Sequence, residues 1–170
     1  MTAVAEARQA ARAVVRKLGI ENPPVSLAGV ADILDIRLLY QPLDSELSGM
    51  AFISERNKYV VVNSSHHQNR QRFTIAHEFG HHVLHHDYLL EGVHVDKGIL
   101  KRDSLSATGK DLKEIAANAF AAELLMPRSM IRSLVPRDFD ILSDQNKMDD
   151  LARLFQVSPA ALNIRLISLS

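Results

Sequence analysis

The chain has 170 residues, of which 46% are hydrophobic and 24% are charged, and it contains no cysteine. This composition excludes a disordered tail, a collagen-like chain and a disulfide scaffold, and the length suits one domain or a domain with a small appendage. Twenty basic and twenty acidic side chains give a net charge of zero. No charge surplus therefore favours nucleic acid or an anionic membrane.

Two further features narrow the class of protein. Charged residues recur throughout the first ten positions, unlike a secretory signal, and no apolar run reaches the length of a membrane helix. We therefore expect a cytoplasmic protein without a membrane partner. All eight histidines lie between His66 and His94, and without cysteine any metal site must use nitrogen and oxygen ligands.

The first half of the chain is predicted to combine helices with a small sheet. An amphipathic helix covers residues 3–18 and ends at Gly19, and Ser26 caps a short second helix. The pattern then predicts a strand over residues 36–40 and a hairpin from residues 47–53 and 58–62.

The second half is predicted to be mostly helical. Residues 68–86 have helical spacing, and a long irregular loop follows them. Residues 111–126 form a helix that is apolar on almost every side, and is therefore expected to be buried, and Pro127 ends it. Two short helices, 147–155 and 159–169, have the pattern of a helix-turn-helix.

The predicted elements define an α+β chain, mostly helical, with a small antiparallel sheet beside the helix over residues 68–86. We expect a domain over residues 1–135. A helical appendage over residues 136–170 would pack on this domain or dock a partner.

An HExxH motif, His77-Glu78-Phe79-Gly80-His81, lies in the middle helix. At about 100° per residue, the two histidines lie about 40° apart on the helix, so both imidazoles can reach one metal ion. Glu78 lies roughly 100° from His77, which places it beside the metal, where a base that acts on water is needed.

A catalytic zinc ion needs a third protein ligand. The HExxHxxGxxH arrangement is excluded, because Leu84 and Asp87 occupy its glycine and third histidine positions. The helix over residues 111–126 offers two carboxylates, Glu114 and Glu123, which lie about 180° apart around its axis.

Glu114 is the better candidate for the third ligand. Asn118 lies one turn away, and the small Ala117 and Ala121 on the same side permit close approach of the HExxH helix, whereas Glu123 has no such company. We predict that Glu114 binds the metal and that Asn118 orients a group bound to it. The alternative is that Glu114 is an exposed first-turn residue favoured by the helix dipole.

The segments that carry these residues resemble the ImmA/IrrE family of metallo-endopeptidases. The resemblance covers roughly Ser48 to Pro127 and rests on two motifs, Gln71-Arg-Phe-Thr-Ile-Ala-His-Glu-Phe-Gly-His-His-Val-Leu-His85 and Glu114-Ile-Ala-Ala-Asn-Ala-Phe-Ala-Ala-Glu-Leu-Leu-Met-Pro127. It implies a zincin-like fold of the gluzincin-like type, and an enzyme that hydrolyses peptide bonds. It also implies a Zn²⁺ ion held by His77, His81 and Glu114, with Glu78 as the catalytic acid and base.

A second electrophile would help to stabilise the oxyanion. The sequence offers His85, Tyr88, His66 and His67, and it does not choose among them. His82 and His86 lie on the side of the helix away from the metal and are expected to be surface or second-layer residues. His66 and His67, which precede the helix, are expected to be solvated, and His94 is expected to have an ordinary role.

Gly80 is unusual, because glycine inside a helix costs about 1 kcal/mol relative to alanine. Its position predicts that a strand or the backbone of a substrate comes close, with the strand over residues 58–62 as the candidate. That strand could also bind an extended substrate by strand addition.

Three function classes follow. The resemblance implies an endopeptidase that cleaves a separate helix-turn-helix repressor and so affects transcription. A DNA-binding regulator would read bases with Asn163 and Arg165, but Asp149 and Asp150 would then face the phosphates, so direct nucleic-acid binding is disfavoured. A toxin or adaptor could instead bind a repressor or antitoxin without proteolysis, although the intact Glu78 argues against a purely structural zinc.

Overall fold

The computed structural model describes residues 2–97, 109–136, 139 and 144–169. These residues form eight helices and four strands in an α+β arrangement. In chain order the elements are α1 (Ala3–Leu18), α2 (Leu27–Leu34), β1 (Ile36–Gln41), β2 (Gly49–Ser54), β3 (Asn57–Asn63), α3 (Gln68–Leu84), α4 (His86–Glu91), β4 (His94–Asp96), α5 (Gly109–Leu125), α6 (Arg128–Leu134), α7 (Gln145–Phe155) and α8 (Pro159–Ile167).

The helix ends follow the predicted capping residues. Thr2 caps α1, and Gly19 ends it with a φ of 71°, a left-handed conformation that glycine adopts without strain. The Ser26 side chain accepts a hydrogen bond from the Gly29 amide at 3.1 Å and so begins α2. The buried stripe of α1 packs against α5, as its amphipathic pattern predicts.

The sheet has the strand order β1-β3-β2-β4 and is mixed. The predicted β2–β3 hairpin is confirmed, with positive φ values at Glu55 and Arg56 in its turn. The expectation of a purely antiparallel sheet is wrong in one respect, because β1 and β3 are parallel. The chain reverses between β1 and β2 and again between β2 and β3, so β1 and β3 run in the same direction and pair.

The stretch after α3 is more ordered than the sequence predicts. The residues directly after α3 form the short helix α4 and the strand β4, which pairs with β2 so that His94 lies opposite Ala51. Such short elements carry too little periodicity to be recognised from sequence. The rest of the predicted loop, residues 98–108, lies outside the described residues.

Gly80 does mark a close approach, but its neighbour is α5 rather than the strand over residues 58–62. A Cβ atom at Gly80 would lie 3.1 Å from the Ala117 Cα and 3.2 Å from the Ala117 carbonyl oxygen. The predicted strand addition to residues 58–62 is also wrong, because β3 is paired on both sides. The small residues instead bring α3 and α5 together, which is the contact that builds the site.

The prediction that α5 is buried holds for its inner face. Ala117, Phe120 and Ala121 are fully buried, whereas Leu112 is 53% exposed and Ile115 is 49% exposed. Both exposed side chains are in the first half of the helix, close to Glu114 in sequence.

The C-terminal helices contribute to the same hydrophobic core as the rest of the described chain. Arg165 of α8 is 2% exposed and donates hydrogen bonds to the Glu123 carboxylate and, at 3.1 Å, to the Met126 carbonyl oxygen. Arg165 is therefore not exposed to read base edges, as the disfavoured DNA-binding alternative would require. The division into domains at residue 135 stays a prediction.

None of the described helices is long and apolar enough to span a membrane.

Candidate metal centre

Three elements bring four potential ligands together. The α3 helix carries His77 and His81, α5 carries Glu114, and β4 carries His94, and one ligand atom from each lies within 4.8 Å of the others. The histidines are buried, and the Glu114 side chain is 32% exposed. The structure thus brings together all three residues that the sequence predicts as ligands, and adds His94.

The ring nitrogens of the HExxH histidines face each other and the same carboxylate. His77 Nε2 lies 3.1 Å from His81 Nε2. The Glu114 oxygens lie 3.2 Å from His77 Nε2 and 3.4 Å from His81 Nε2. Two imidazole nitrogens and a carboxylate that converge on one point fit a divalent cation.

Asn118 fixes the orientation of one of these rings. Its Oδ1 atom lies 2.9 Å from His77 Nδ1, and since an amide oxygen only accepts, Nδ1 carries the proton and donates it. In the neutral ring the His77 Nε2 atom therefore carries no proton, and it is directed towards His81 and Glu114. This is how an outer residue orients a metal-ligating histidine.

Glu78 is completely buried beside the cluster. Its Oε2 atom accepts a hydrogen bond from His94 Nδ1 at 2.9 Å, whereas its Oε1 atom has no hydrogen-bond partner among the described residues. A buried carboxylate oxygen without a partner is costly. Such an oxygen is available to a water molecule or a ligand.

His94 is the residue that sequence reasoning missed. It was assigned an ordinary role, but it lies between two carboxylates, with Nδ1 2.9 Å from Glu78 Oε2 and Nε2 2.8 Å from Glu114 Oε1. Its ring also stacks on the His81 ring, with centroids 3.8 Å apart. The only sequence signal is a histidine in the alternating segment Val93-His-Val-Asp96, which is too short to show that it returns to α3.

The cluster shifts the pKa values of its members. Burial lowers the pKa of His81 to about 3. Burial also disfavours protonated His94, but hydrogen bonds to Glu114 and Glu78 outweigh this effect and raise its pKa to about 10. For Glu114, burial is outweighed by hydrogen bonds to the three histidines, which lower its pKa well below the usual range. Burial raises the pKa of Glu78.

The directions of these shifts describe a site that requires positive charge. His94 lies between the two carboxylates, and the lowered pKa of His81 keeps its ring neutral. A cation shared among the ring nitrogens and Glu114 would satisfy that requirement.

The candidates for a second electrophile separate into two groups. His85 Nδ1 lies 3.2 Å from His81 Nδ1, and the Tyr88 ring centroid lies 6.3 Å from that of His94, so both border the cluster. His66 bonds the Ser45 carbonyl oxygen, and His67 caps α3. Ten residues of helix separate His67 from His77, about 15 Å at the α-helical rise, so these two histidines lie away from the cluster.

His82 and His86 have the ordinary roles that the helical geometry predicts. His82 is buried, with Nε2 2.9 Å from the Tyr59 carbonyl oxygen, and so ties α3 to the sheet. His86 is exposed.

The sequence offered no partners for Glu123, but the structure gives it two arginines. It is completely buried, and its carboxylate accepts hydrogen bonds from Arg165 and, at 2.9 Å, from Arg12 Nε. The two glutamates contact different elements, Glu123 meeting α1 and α8 and Glu114 meeting α3 and β4, so they do not share a face of α5. The partners were missed because they come from α1 and α8, which are distant in the chain.

The α+β fold, with two HExxH histidines and a carboxylate from the next long helix around one point, places the protein in the zincin-like class. A peptidase family model, described as the IrrE N-terminal-like domain, matches residues 31–167. The chain therefore belongs to this family of metallopeptidases.

Two relatives are similar over different lengths. A protein of Bacillus phage phi105, named uncharacterized immunity region protein 2, is 28% identical over 134 residues, covering 79% of this chain and 77% of that protein. The radiation response metalloprotease IrrE of Deinococcus radiodurans is 35% identical over 91 residues, covering 51% of this chain but only 24% of IrrE. The match to IrrE is thus confined to about a quarter of that protein.

Proposed function

We propose that the protein is a zinc-dependent endopeptidase in which His77, His81 and Glu114 hold the metal and Glu78 is the general base and acid. The observation that carries the proposal is the convergence of His77, His81 and Glu114 within ligand distance of one another, beside a buried Glu78 with one unpartnered oxygen. Membership of a peptidase family supports it.

The donor set favours zinc. Two imidazoles and one carboxylate are the protein ligands of several catalytic zinc sites, which keep a further position open. When bound, the ion would act as a Lewis acid that polarises the scissile carbonyl and would lower the pKa of a nearby water.

The two oxygens of Glu78 have different tasks in this mechanism. Oε2 is held by His94, so the carboxylate cannot rotate freely, and Oε1 can accept the proton of the attacking water. The same carboxyl group then gives this proton to the leaving amine nitrogen. Burial raises the pKa of Glu78, which makes it a better base than an exposed glutamate.

The substrate in this proposal is a helix-turn-helix repressor encoded separately. The family resemblance implies such substrates, and the immunity-region name of the phage relative is in keeping with them. Among the described strands, β4 pairs only with β2, so an extended peptide could add to its outer edge next to His94. Val95 on β4 and Ile115 on α5 are partly exposed and would contact its apolar side chains.

Glu78→Gln tests the proposal. We expect the variant to retain zinc but to cleave a repressor from a neighbouring reading frame, and unfolded casein, about 10²- to 10⁴-fold more slowly. Mass spectrometry of the products gives the rates and the scissile bond. Glu46→Gln, at an exposed position, is the matched control and should cleave normally.

The two substrates separate the parts of the proposal. Cleavage of casein but not of the repressor would keep the peptidase and reject this substrate. Undiminished relief of repression by Glu78→Gln would reject proteolysis and favour an adaptor that acts by binding.

His94→Ala tests the assignment of His94 as a positioning residue. We expect zinc stoichiometry to be unchanged and kcat to fall with little change in KM, because Glu78 loses the donor that orients it. Metal content is measured by atomic absorption and the kinetics with a fluorogenic peptide. A loss of zinc as large as that of Glu114→Gln would instead make His94 a fourth ligand.

A further inference from the structure

A second concave site lies on the far side of α5 from the metal cluster. It is a cavity of 410 Å³ between α1, the end of α5 and α6, and its lining includes Glu123. Because Glu123 and Glu114 lie on opposite faces of α5, this cavity is separate from the HExxH histidines.

Four of the eight residues that line this cavity are arginines. Arg12 and Arg16 come from α1, and Arg128 and Arg132 come from α6. Arg165 of α8 is not part of the lining, but it donates a hydrogen bond to the Glu123 carboxylate. Four arginines and one glutamate are thus the charged residues of the lining, in a chain whose net charge is zero.

Glu123 does not balance these charges. Its oxygens accept hydrogen bonds from Arg12 and Arg165, and from the Arg128 amide at 3.3 Å. Within the part of the chain that the structure describes, Arg16 and Arg132 form no ion pair with a carboxylate, and the buried Nε atom of Arg128 has no hydrogen-bond partner. The remaining guanidinium groups are available to an anion.

We propose that this cavity binds a small molecule that carries a phosphate group. Guanidinium groups match the oxygens of phosphate in bidentate geometry, and a phosphate monoester carries about −1.5 to −2 charge, more than a single carboxylate. The volume lies within the range of about 300–1,000 Å³ of small-molecule sites and exceeds the need of a phosphate alone. Val15 and Pro127 in the lining offer apolar contact to the organic part.

The test is isothermal titration calorimetry of the full chain with adenosine 5′-monophosphate as the probe and adenosine as the control without phosphate. The double variant Arg16→Ala/Arg132→Ala removes two exposed lining guanidinium groups. Lys17→Ala/Arg153→Ala removes the same charge from exposed helical positions outside the cavity. Circular dichroism and the melting temperature establish that all variants are folded.

We expect adenosine 5′-monophosphate to bind at least about tenfold more tightly than adenosine, and the Arg16/Arg132 variant to weaken its binding about tenfold or more. The Lys17/Arg153 variant should change it less than about twofold. The proposal would be overturned by no binding, by an equal loss in both double variants, or by tighter binding of a hexaglutamate peptide than of the nucleotide. A nucleotide that binds at the metal would be insensitive to the Arg16/Arg132 change and would also overturn it.

Discussion

The α5 helix carries two glutamates nine positions apart, and their surroundings differ in one decisive respect. Glu123 faces Arg12 and Arg165, which carry a positive charge at any relevant pH. Glu114 faces three histidines, which are charged only when they bind a proton. Glu123 is completely buried and the Glu114 side chain is 32% exposed, and each carboxylate is stabilised by a cationic partner.

The comparison distinguishes a structural carboxylate from a functional one. The chain itself supplies the cations for Glu123, so this carboxylate needs no metal ion once the chain is folded. On the Glu114 side the charge must come from outside, as protons or as a metal ion. The type of cationic partner, rather than the burial of the glutamate, indicates which of the two carboxylates binds a metal ion.

The largest expected effect is the loss of metal affinity in Glu114→Gln. Removing an outer residue that orients a ligand costs about 10- to 100-fold in affinity, and removal of a ligand should exceed that range. Competition with a chromophoric chelator measures the zinc dissociation constant. Glu123→Gln is the matched control on the same helix and should bind zinc like the unchanged protein. Equal affinities in the two variants would refute the assignment of Glu114.

The second effect is on the free energy of unfolding, and here Glu123→Gln rather than Glu114→Gln should cause the larger loss. Glu123→Gln leaves Arg165 buried without its counter-charge, and breaking a buried pair in this way costs about 3 kcal/mol or more. Glu114→Gln in metal-free protein should change the free energy of unfolding much less. Urea denaturation followed by circular dichroism compares the two. Similar losses in both variants would remove the distinction between the two sides of α5.

The smallest effect is the pH dependence of that stability difference. Burial raises the pKa of Glu123, but hydrogen bonds from Arg12 and Arg165 outweigh it and hold the pKa below the usual range. A depressed pKa in the folded state gives stability that is fully present above the unfolded value of about 4.3 and is lost as the pH falls towards the folded value. The difference between the unchanged protein and Glu123→Gln should therefore be constant from about pH 7 to pH 5 and shrink below about pH 4.

The unchanged protein and Glu123→Gln are both measured without metal. The histidines then titrate alike in the two proteins, so their contribution cancels from the difference in free energy of unfolding. A difference that already shrinks near neutral pH would show that Glu123 is not ionised in the folded protein.

Local patterns predicted much of the fold and part of the site. Helical spacing placed His77 and His81 on one face, and the small residues beside Glu114 indicated the helix that packs there. These features repeat within a few residues of one another, so periodicity reveals them.

Contacts between distant segments were not predictable in this way. Arg12 lies 111 positions from Glu123, and His94 reaches the cluster because a three-residue strand pairs with β2. The neighbour of Gly80 was misassigned for the same reason. The sequence shows that a close approach is needed, but only the fold determines which element makes it.

The central claim is that one side of α5 binds a metal and the other does not. The most direct test is a crystal structure of the zinc-loaded protein with anomalous data collected at the zinc absorption edge. The account predicts an anomalous peak about 2.0–2.2 Å from His77 Nε2, His81 Nε2 and a Glu114 carboxylate oxygen, and none beside Glu123. A zinc-loaded crystal without a peak at the HExxH histidines, or with Glu114 outside bonding distance of the ion, would contradict it.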